Sequence, residues 1–179
     1  MRALRRTELR AVAPDDMEPL YAWLTESDVA DRWRYHGRRP AFDEFVNDLW
    51  FGVHEQDLII SRESGERIGL VSAYNADMRS GTCYVALVSA PSYTGSGLAV
   101  EGMVLFTANL FREWPFRKVH FEVYGYNDEL VRGLAKRTTL EARLIDDLRW
   151  QDAFHDRYIF TADRDQWLDS YWPTLARFA

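Results

Sequence analysis

The chain has 179 residues, 28% of them charged, and a formal net charge of −6. This composition is ordinary for a globular protein and argues against disorder, and the acidic balance disfavours nucleic-acid binding, which normally needs a basic excess. The single cysteine, Cys83, rules out an intramolecular disulfide, and no stretch approaches the roughly 20 apolar residues of a membrane span. We therefore predict a cytoplasmic protein with neither a nucleic-acid nor a membrane partner.

Helical spacing of apolar residues dominates the first part of the chain. Pro14, followed by two acidic residues, is typical of a helix start, because the carboxylates lie at the positive end of the helix dipole. The predicted elements, in chain order, are a strand over Thr7–Val12, a helix from Pro14 through Glu26, a short helix over Val29–Arg34, a loop over His36–Pro40 and a helix over Phe42–Trp50 that ends at Gly52.

Three β-rich runs separated by short polar turns form the middle of the chain. They cover Leu58–Arg62, Arg67–Tyr74 and Thr82–Ser89. Short turns between strands are typical of antiparallel neighbours, so these runs indicate a meander. In the second run, Ile68, Leu70 and Val71 are the residues expected to point inward.

The rest of the chain alternates again between helix and strand. The last stretch, residues 168–179, is an aromatic tail that packs on the domain or on a second copy, so a homodimer stays open. One domain over residues 1–179, with a core of about 9–167, is expected. The predicted elements are a helix from Leu98 to Trp114, a strand over Lys118–Tyr124, a helix over Asn127–Arg137, strands over Leu140–Arg149 and Tyr158–Ala162, and a helical or irregular tail over Asp165–Ala179.

The most informative motif is the turn Ala90–Ala99, which joins an apolar strand to a long helix through Gly95 and Gly97. Small residues leave backbone N–H groups unobstructed at a helix N-terminus, which suits a phosphate or pyrophosphate. The alternative is a glycine-rich turn that binds nothing. A dinucleotide fingerprint needs a third glycine where Val100 stands, and no lysine follows the glycines as a P-loop requires.

The order of elements and this turn resemble the GCN5-related N-acetyltransferase (GNAT) superfamily, and its RimJ/RimL-like branch in particular. The family turn, Arg/Gln-x-x-Gly-x-Gly/Ala, is matched at Gly97 and Ala99, whereas Thr94 stands at its basic or Gln position. The resemblance implies an α+β fold, with a central, mostly antiparallel mixed sheet of six to seven strands, flanking helices and a splayed cofactor-binding strand pair. Further similar stretches are Tyr21–Leu24, Gly97–Gly102 and Asp156–Phe160 before Trp167.

The resemblance also implies the activity. The protein would transfer an acetyl group from acetyl-CoA directly to a primary amine of a small molecule or of a protein N-terminus, without a metal. The strand before the turn would bind the pantetheine arm and polarise the acetyl carbonyl through its backbone, the turn would hold the pyrophosphate, and an asparagine would contact the cofactor arm. These cofactor-binding positions are Leu87, Val88, Ser89, Thr94, Gly95, Ser96, Gly97, Leu98, Ala99 and Asn127.

Candidate catalytic groups lie on the strand after the long helix, in the first turns of that helix and on the strand that precedes it. An ammonium of pKa about 10 has no lone pair, so a base must remove its proton before attack. Glu122 is the first candidate base, with His120 and Glu101 as alternatives, and Tyr124 and Tyr84 are candidate acids for thiolate release. The other interpretation of the Glu122 face is a solvated strand surface.

Other positions bear on the substrate and on whether the protein is active. Trp33 and Arg34 are predicted to line the acceptor pocket. The scattered histidines lack metal-ligand spacing, so no metal site is expected. Leu134 stands where the family often has a tyrosine acid, and Thr138-Thr139 replaces the usual Gly-Phe pair. These departures leave an alternative function, a catalytically impaired GNAT-fold module that binds acyl-CoA or a partner.

Overall fold

The computed structural model describes residues 6–25, 33–35 and 38–175. Within that part of the chain a short 3-10 helical turn, Pro14–Asp16, leads into the first helix. Of the short helix expected over Val29–Arg34, all but Trp33 and Arg34 lies outside the described residues. The helices are α1 (Met17–Thr25), α2 (Phe42–Trp50), α3 (Leu98–Glu113), α4 (Asp128–Ala135) and α5 (Arg164–Leu175).

Seven strands form one mixed sheet in the described part of the chain, in the order β1-β2-β3-β4-β5-β7-β6. The β4–β5 pair is parallel, whereas the pairs β1–β2, β2–β3, β5–β7 and β7–β6 are antiparallel. This confirms the expected mixed sheet. The strands are β1 (Thr7–Ala11), β2 (Val53–Ser61), β3 (Arg67–Asp77), β4 (Thr82–Ser89), β5 (Lys118–Tyr124), β6 (Thr139–Trp150) and β7 (Ala153–Asp163).

The residues cluster into two compact units. Unit 1 holds the described residues as far as Tyr74 together with Leu87–Phe106, and unit 2 holds Asn75–Ala86 together with the described residues from Thr107 onward. Unit 1 therefore contains β1, β2, α1, α2 and the glycine turn, and unit 2 contains β5, α4, β6, β7 and α5.

The core of unit 1 is built where α1 and α2 cover the sheet. Leu20 and Leu24 of α1 pack with Phe45 of α2 against strand residues that include Leu58 and Leu70. All of these side chains are almost fully buried, and burying each one stabilises the fold by about 1.5–3 kcal/mol. The whole stretch from Ile68 through Ala73 in β3 is buried, so burial there extends to both faces and beyond the residues expected to point inward.

In unit 2, strand β5 follows the expected alternation residue by residue. Val119, Phe121 and Val123 are buried, and the Phe121 ring lies 6.0 Å from that of Trp167 on α5. The intervening residues are half-buried. Period-2 alternation thus separates a core face from a polar face, and His120, Glu122 and Tyr124 lie on the polar one.

Two strands begin earlier than their apolar residues indicate. β2 starts at Val53 rather than Leu58, and β7 starts at Ala153 rather than Tyr158. The added residues are mostly polar, and in β7 they are held by cross-strand partners: the Asp156 carboxylate binds Arg143 of β6 through Arg Nε at 2.6 Å. Such pairs compensate for weak apolar patterning.

Strand β6 is interrupted by a bulge. Its register with β7 shifts between Leu144 and Leu148, and Asp146 has a positive φ of 53°. The Asp146 amide donates to Asp156 Oδ1 at 3.0 Å, which fixes the irregular backbone.

Among the described residues, no helix combines the length and the hydropathy needed to cross a bilayer.

Candidate active site

The turn between β4 and α3 owes its shape to two glycines. Gly95 and Gly97 have φ values of +77° and +75°, a region that side-chain-bearing residues rarely adopt. A Cβ atom added at either glycine would meet nothing within 4 Å. The backbone conformation, rather than crowding, therefore requires glycine here.

The same turn exposes backbone donors at the N-terminus of the 16-residue helix α3. Some of its polar groups are paired internally: the Ser96 amide donates to the Tyr93 carbonyl at 3.1 Å. Within the described part of the chain, the amides of Gly95, Gly97 and Ala99 have no protein acceptor. Free amides at the positive end of a helix dipole form an anion site, so the residues present fit a phosphate group.

Two side chains of the turn show what it presents to solvent and what it is attached to. Thr94, at the basic or Gln position of the family turn, is exposed. The Tyr93 hydroxyl donates to the Glu66 carboxylate in the β2–β3 turn, and this hydrogen bond raises the pKa of the phenol. The turn is thus attached to a neighbouring loop and presents backbone rather than basic side chains.

The end of β4 lies very close to β3. A Cβ atom on Gly69 would come within 2.3 Å of the Val88 carbonyl oxygen, and the Ala90 amide donates to the Ile68 carbonyl at 2.7 Å. On its other side, β4 pairs with β5 over Thr82–Tyr84 alone, although the strand continues to Ser89. The β4–β5 ladder therefore stops early, as the expected splay requires.

On the polar face of β5, Glu122 belongs to a charged cluster. Its carboxylate accepts the Tyr124 hydroxyl at 3.2 Å and an Arg157 Nη1 hydrogen at 3.2 Å. Arg157 also binds Asp147 on the β6 bulge, with Nε and Oδ2 2.8 Å apart. Burial, and next the Glu122 charge, raise the pKa of Tyr124 to about 12, so this phenol is neutral throughout the physiological range.

A second polar cluster lies at the other end of that face. His120 Nδ1 is 2.9 Å from Thr161 Oγ1, and the Thr161 hydroxyl donates to the Glu141 carboxylate. Lys118 Nζ binds the same carboxylate at 3.2 Å. Tyr84 of β4 is paired with His120 in the strand ladder, and the centroid of its ring lies 5.0 Å from that of the imidazole. The structure thus brings Tyr84 and His120 together, and Glu122 and Tyr124 together.

The structure also defines the contacts of Asn127, Leu134 and Glu101. Asn127 caps α4, because its side chain accepts the Leu130 amide at 3.4 Å. Leu134 is buried and carries no titratable proton. Glu101 is buried, accepts the Arg6 amide at 2.9 Å and pairs with the Arg6 guanidinium, so its carboxylate holds β1 in place.

The predicted acceptor residues lie in unit 1. Trp33 packs against the apolar core as a half-buried side chain, and Arg34 donates to the Asp48 carbonyl of α2. Neither residue lines the open groove of about 870 Å³ in the same unit. That groove is lined by Pro14, Asp15, Met17, Glu18, Phe42, Asp43, Val46 and Asn47.

Sequence reasoning missed the charged and hydroxyl partners on β6 and β7. Arg157, Thr161 and Glu141 contact side chains of β5 that lie at least 23 residues away along the chain, so no local pattern marks them. Asp147 joins this group through Arg157. Among the described residues, no group of three or more His, Cys, Asp or Glu side chains is arranged to hold a metal ion.

Comparison with known proteins places this architecture in a family. The family model for the acetyltransferase (GNAT) domain matches residues 6–137. The chain therefore belongs to the acetyltransferase (GNAT) family, as the resemblance indicates. It is also 24% identical, over 165 residues, to the SPbeta prophage-derived uncharacterized N-acetyltransferase YokL of Bacillus subtilis (strain 168), with 88% of this chain and 90% of that protein covered.

Solved structures share the fold. A spermidine N-acetyltransferase from Vibrio cholerae in complex with CoA and spermine has a TM-score of 0.79 at 16% identity, covering 91% of this chain and 98% of that one. RimL, a ribosomal L7/L12 alpha-N-protein acetyltransferase in complex with CoA, has a TM-score of 0.73 at 16% identity, covering 90% and 96%. At such identities the likeness establishes the fold alone.

Proposed function

We propose that this protein transfers the acetyl group of acetyl-CoA directly to a primary amine, in a ternary complex and without a covalent enzyme intermediate. Family membership over residues 6–137 supports acetyl transfer. The observation that carries the choice of cosubstrate is the open glycine turn, whose Gly95 and Gly97 amides meet no acceptor among the described residues and suit a pyrophosphate. CoA complexes of proteins with this fold agree with it.

We assign the cosubstrate contacts mainly to backbone groups. The turn of residues 94–99 would hold the pyrophosphate through the amides of Gly95, Gly97 and Ala99, since those of Thr94, Ser96 and Leu98 already donate within the turn. The strand end Leu87, Val88 and Ser89, where the β4–β5 ladder has already stopped, would bind the pantetheine arm and polarise the acetyl carbonyl. Asn127 would contact the cofactor arm while its side chain caps α4.

Tyr124 is proposed to stabilise the departing thiolate. A phenol with a pKa of about 12 is a much weaker acid than a thiol, whose pKa is about 8.5. Complete proton transfer from Tyr124 to sulfur is therefore uphill, and a hydrogen bond to the thiolate is its more effective contribution. In the free protein this hydroxyl donates its single hydrogen to Glu122, so the hydrogen would turn from Glu122 to the sulfur as the thiolate forms. Tyr84 is the alternative donor.

For the acceptor, we favour a small cationic amine, with a protein N-terminus as the second candidate. The net charge of −6 attracts cations, and the groove in unit 1 carries three carboxylates, from Asp15, Glu18 and Asp43. Trp33 and Arg34 remain proposed acceptor contacts.

Thermal unfolding with and without acetyl-CoA tests the cosubstrate. Ligand at about 100 times its Kd should stabilise the protein by roughly 2.7 kcal/mol, which raises Tm by several degrees. Release of free CoA thiol with spermidine, other small amines and a peptide N-terminus then tests the reaction. A clear Tm increase together with amine-dependent thiol release is the expected result, whereas an unchanged Tm would contradict the site.

Leu134 supports a second candidate, a non-catalytic module that binds acyl-CoA. It is buried and offers no proton at the position where a tyrosine acid is common in the family. A Tm increase with acetyl-CoA but no thiol release with any amine would favour this module over the enzyme.

The homodimer is likewise a proposal. Trp167 of α5 is buried within unit 2, and the Tyr171 ring packs against it at a tilt, with ring centroids 4.5 Å apart. If the rest of the tail contacts a second copy, deleting Asp169–Ala179 should lower the mass measured by light scattering. An unchanged mass would contradict an interface there.

A further inference from the structure

A hydrogen-bond chain crosses three strands of unit 2 and ends on His120. His120 on β5 and Thr161 on β7 are directly paired in the ladder, and Nδ1 lies 2.9 Å from Oγ1. The Thr161 hydroxyl continues the chain to the Glu141 carboxylate on β6. Glu141 lies within a register shift between Leu140 and Ala142. Such a bulge re-aims one side chain.

The hydrogen bonds between His120, Thr161 and Glu141 can run in only one direction. Thr161 has a single hydroxyl hydrogen, and an ionised carboxylate can only accept. The Thr161 hydrogen must therefore go to Glu141, and its oxygen accepts from His120. This requires the hydrogen of the neutral imidazole to be on Nδ1, which leaves a lone pair on Nε2.

The surroundings keep His120 neutral. Burial is the main effect that lowers the pKa of His120 below its usual 6.5, and the cations of Lys118 and Arg117 act in the same direction. The carboxylates of Glu141 and Asp163 oppose them. The Tyr84 ring of β4 packs against the imidazole.

Glu122, by contrast, has both carboxylate oxygens engaged. One accepts the Tyr124 hydroxyl, and the other accepts a hydrogen from Arg157. Each oxygen keeps a further lone pair, but the two partners fix the orientation of the carboxylate. Of the two candidates on this face, His120 has a ring nitrogen that its relay leaves without a proton, on a side chain that is 14% exposed.

We propose that Nε2 of His120 is the proton acceptor for the substrate ammonium, with Thr161 and Glu141 as positioning residues. This assignment rests on the proposed acetyl transfer. Nε2 takes one proton from the ammonium, and the freed amine attacks the acetyl carbonyl. The C–N bond forms and the C–S bond breaks. The second amine proton goes to the leaving sulfur, and the imidazolium returns its proton to solvent.

Nuclear magnetic resonance of isotope-labelled histidine nitrogens tests the relay without any substrate. The protein has four histidines, and the spectrum of His120→Gln identifies the resonances of His120. We expect a neutral tautomer protonated on Nδ1 at pH 7, and a pKa below 6.5. Thr161→Val should release this tautomer, whereas Thr161→Ser keeps the hydroxyl and should preserve it. A ring protonated on Nε2 in the unmutated protein would overturn the relay.

Steady-state kinetics test the base. His120→Gln should lower kcat/KM by about 100-fold or more, the usual loss for a general base, while acetyl-CoA still raises Tm. Thr161→Val should lower it about tenfold with rescue by Thr161→Ser, and Glu122→Gln should cost less than His120→Gln. Full activity in His120→Gln would overturn the assignment. If the unmutated protein acetylates no amine, the proposed function fails, and the nuclear magnetic resonance result still decides whether the relay exists.

Discussion

The glycine turn of unit 1 and the β5 face of unit 2 are polar sites built in opposite ways. The turn presents backbone amides on an exposed loop, with Thr94 at the basic position of the family motif. The β5 face gathers His120, Glu122 and Tyr124 with partners from two other strands. One site depends on φ angles, and the other on cross-strand register. Substitutions should therefore affect them by different mechanisms.

The largest effect is expected at Gly97. Gly97→Glu places an L-residue at a φ of +75° and adds a negative charge beside the proposed pyrophosphate site. Affinity for acetyl-CoA should fall by at least about 100-fold, or roughly 2.7 kcal/mol, as measured by isothermal titration calorimetry.

Gly52→Glu is the matched control. Gly52 has a φ of +71°, and a Cβ atom there would also meet nothing within 4 Å. The strain and the added charge are thus the same, but the position is at the end of α2. Equal loss of binding in both variants would argue against a pyrophosphate site at Gly97.

A smaller effect is expected from Gly69→Ala, because the new Cβ would collide with the Val88 carbonyl oxygen. Overpacking of this kind costs roughly 1–3 kcal/mol, to be measured by urea unfolding. Gly133→Ala in α4, where a Cβ atom meets nothing within 4 Å, should instead stabilise by up to about 1 kcal/mol. Equal stability in the two variants would show that β4 yields easily at Val88.

Unit 1 also contains a buried charged cluster that we expect to be purely structural. Burial alone would raise the pKa of Asp16, but hydrogen bonds from Arg10, the Ala13 amide and Arg67 outweigh it and lower that pKa to about 2. The folded pKa lies below the unfolded value, so Asp16 stabilises the protein above about pH 4. About 2 kcal/mol should be lost as the pH falls through 2.

Asp16→Asn separates this contribution from other acid effects. The variant should be less stable at neutral pH and should show a smaller further loss between pH 4 and pH 2, measured by urea unfolding at each pH. Acetyl-CoA affinity should not change. An identical pH dependence in the two proteins would refute the assignment of this loss to Asp16.

The smallest effect is expected for Tyr124→Phe. Removing one neutral hydrogen-bond donor costs about 0.5–1.5 kcal/mol, so kcat should fall up to about tenfold with unchanged acetyl-CoA affinity. Tyr158→Phe is the control, since Tyr158 lies on the opposite face of β7 from Arg157. Equal losses of kcat in both variants would remove Tyr124 from the proposed chemistry.

Sequence patterns a few residues long predicted strand β5 and the glycine turn, because neighbouring residues alone determine both. The bounds of β5 agree residue by residue with the alternation of Lys118–Tyr124. The glycine turn was also recognisable, because positive φ angles restrict Gly95 and Gly97 to one residue type. Both signals lie within a few neighbouring residues.

The partners on the β5 face could not be predicted in the same way. Arg157 reaches Glu122 across 35 positions of sequence, and Glu141 reaches His120 through Thr161 at a register shift of β6. The early start of β7 has the same origin, since Asp156 is stabilised by Arg143 rather than by apolar burial. Pairing between distant strands decides these contacts.

The bulge around Asp146 in β6 has a consequence for pairing between sheet edges. β6 is the last strand in the sheet order, and a long, regular outer strand is a template on which other chains can polymerise. The irregular backbone at Asp146, with its positive φ, interrupts that template beside Ile145, whose side chain is 73% exposed. The bulge that presents Asp147 to Arg157 thereby also protects the protein against edge-to-edge aggregation.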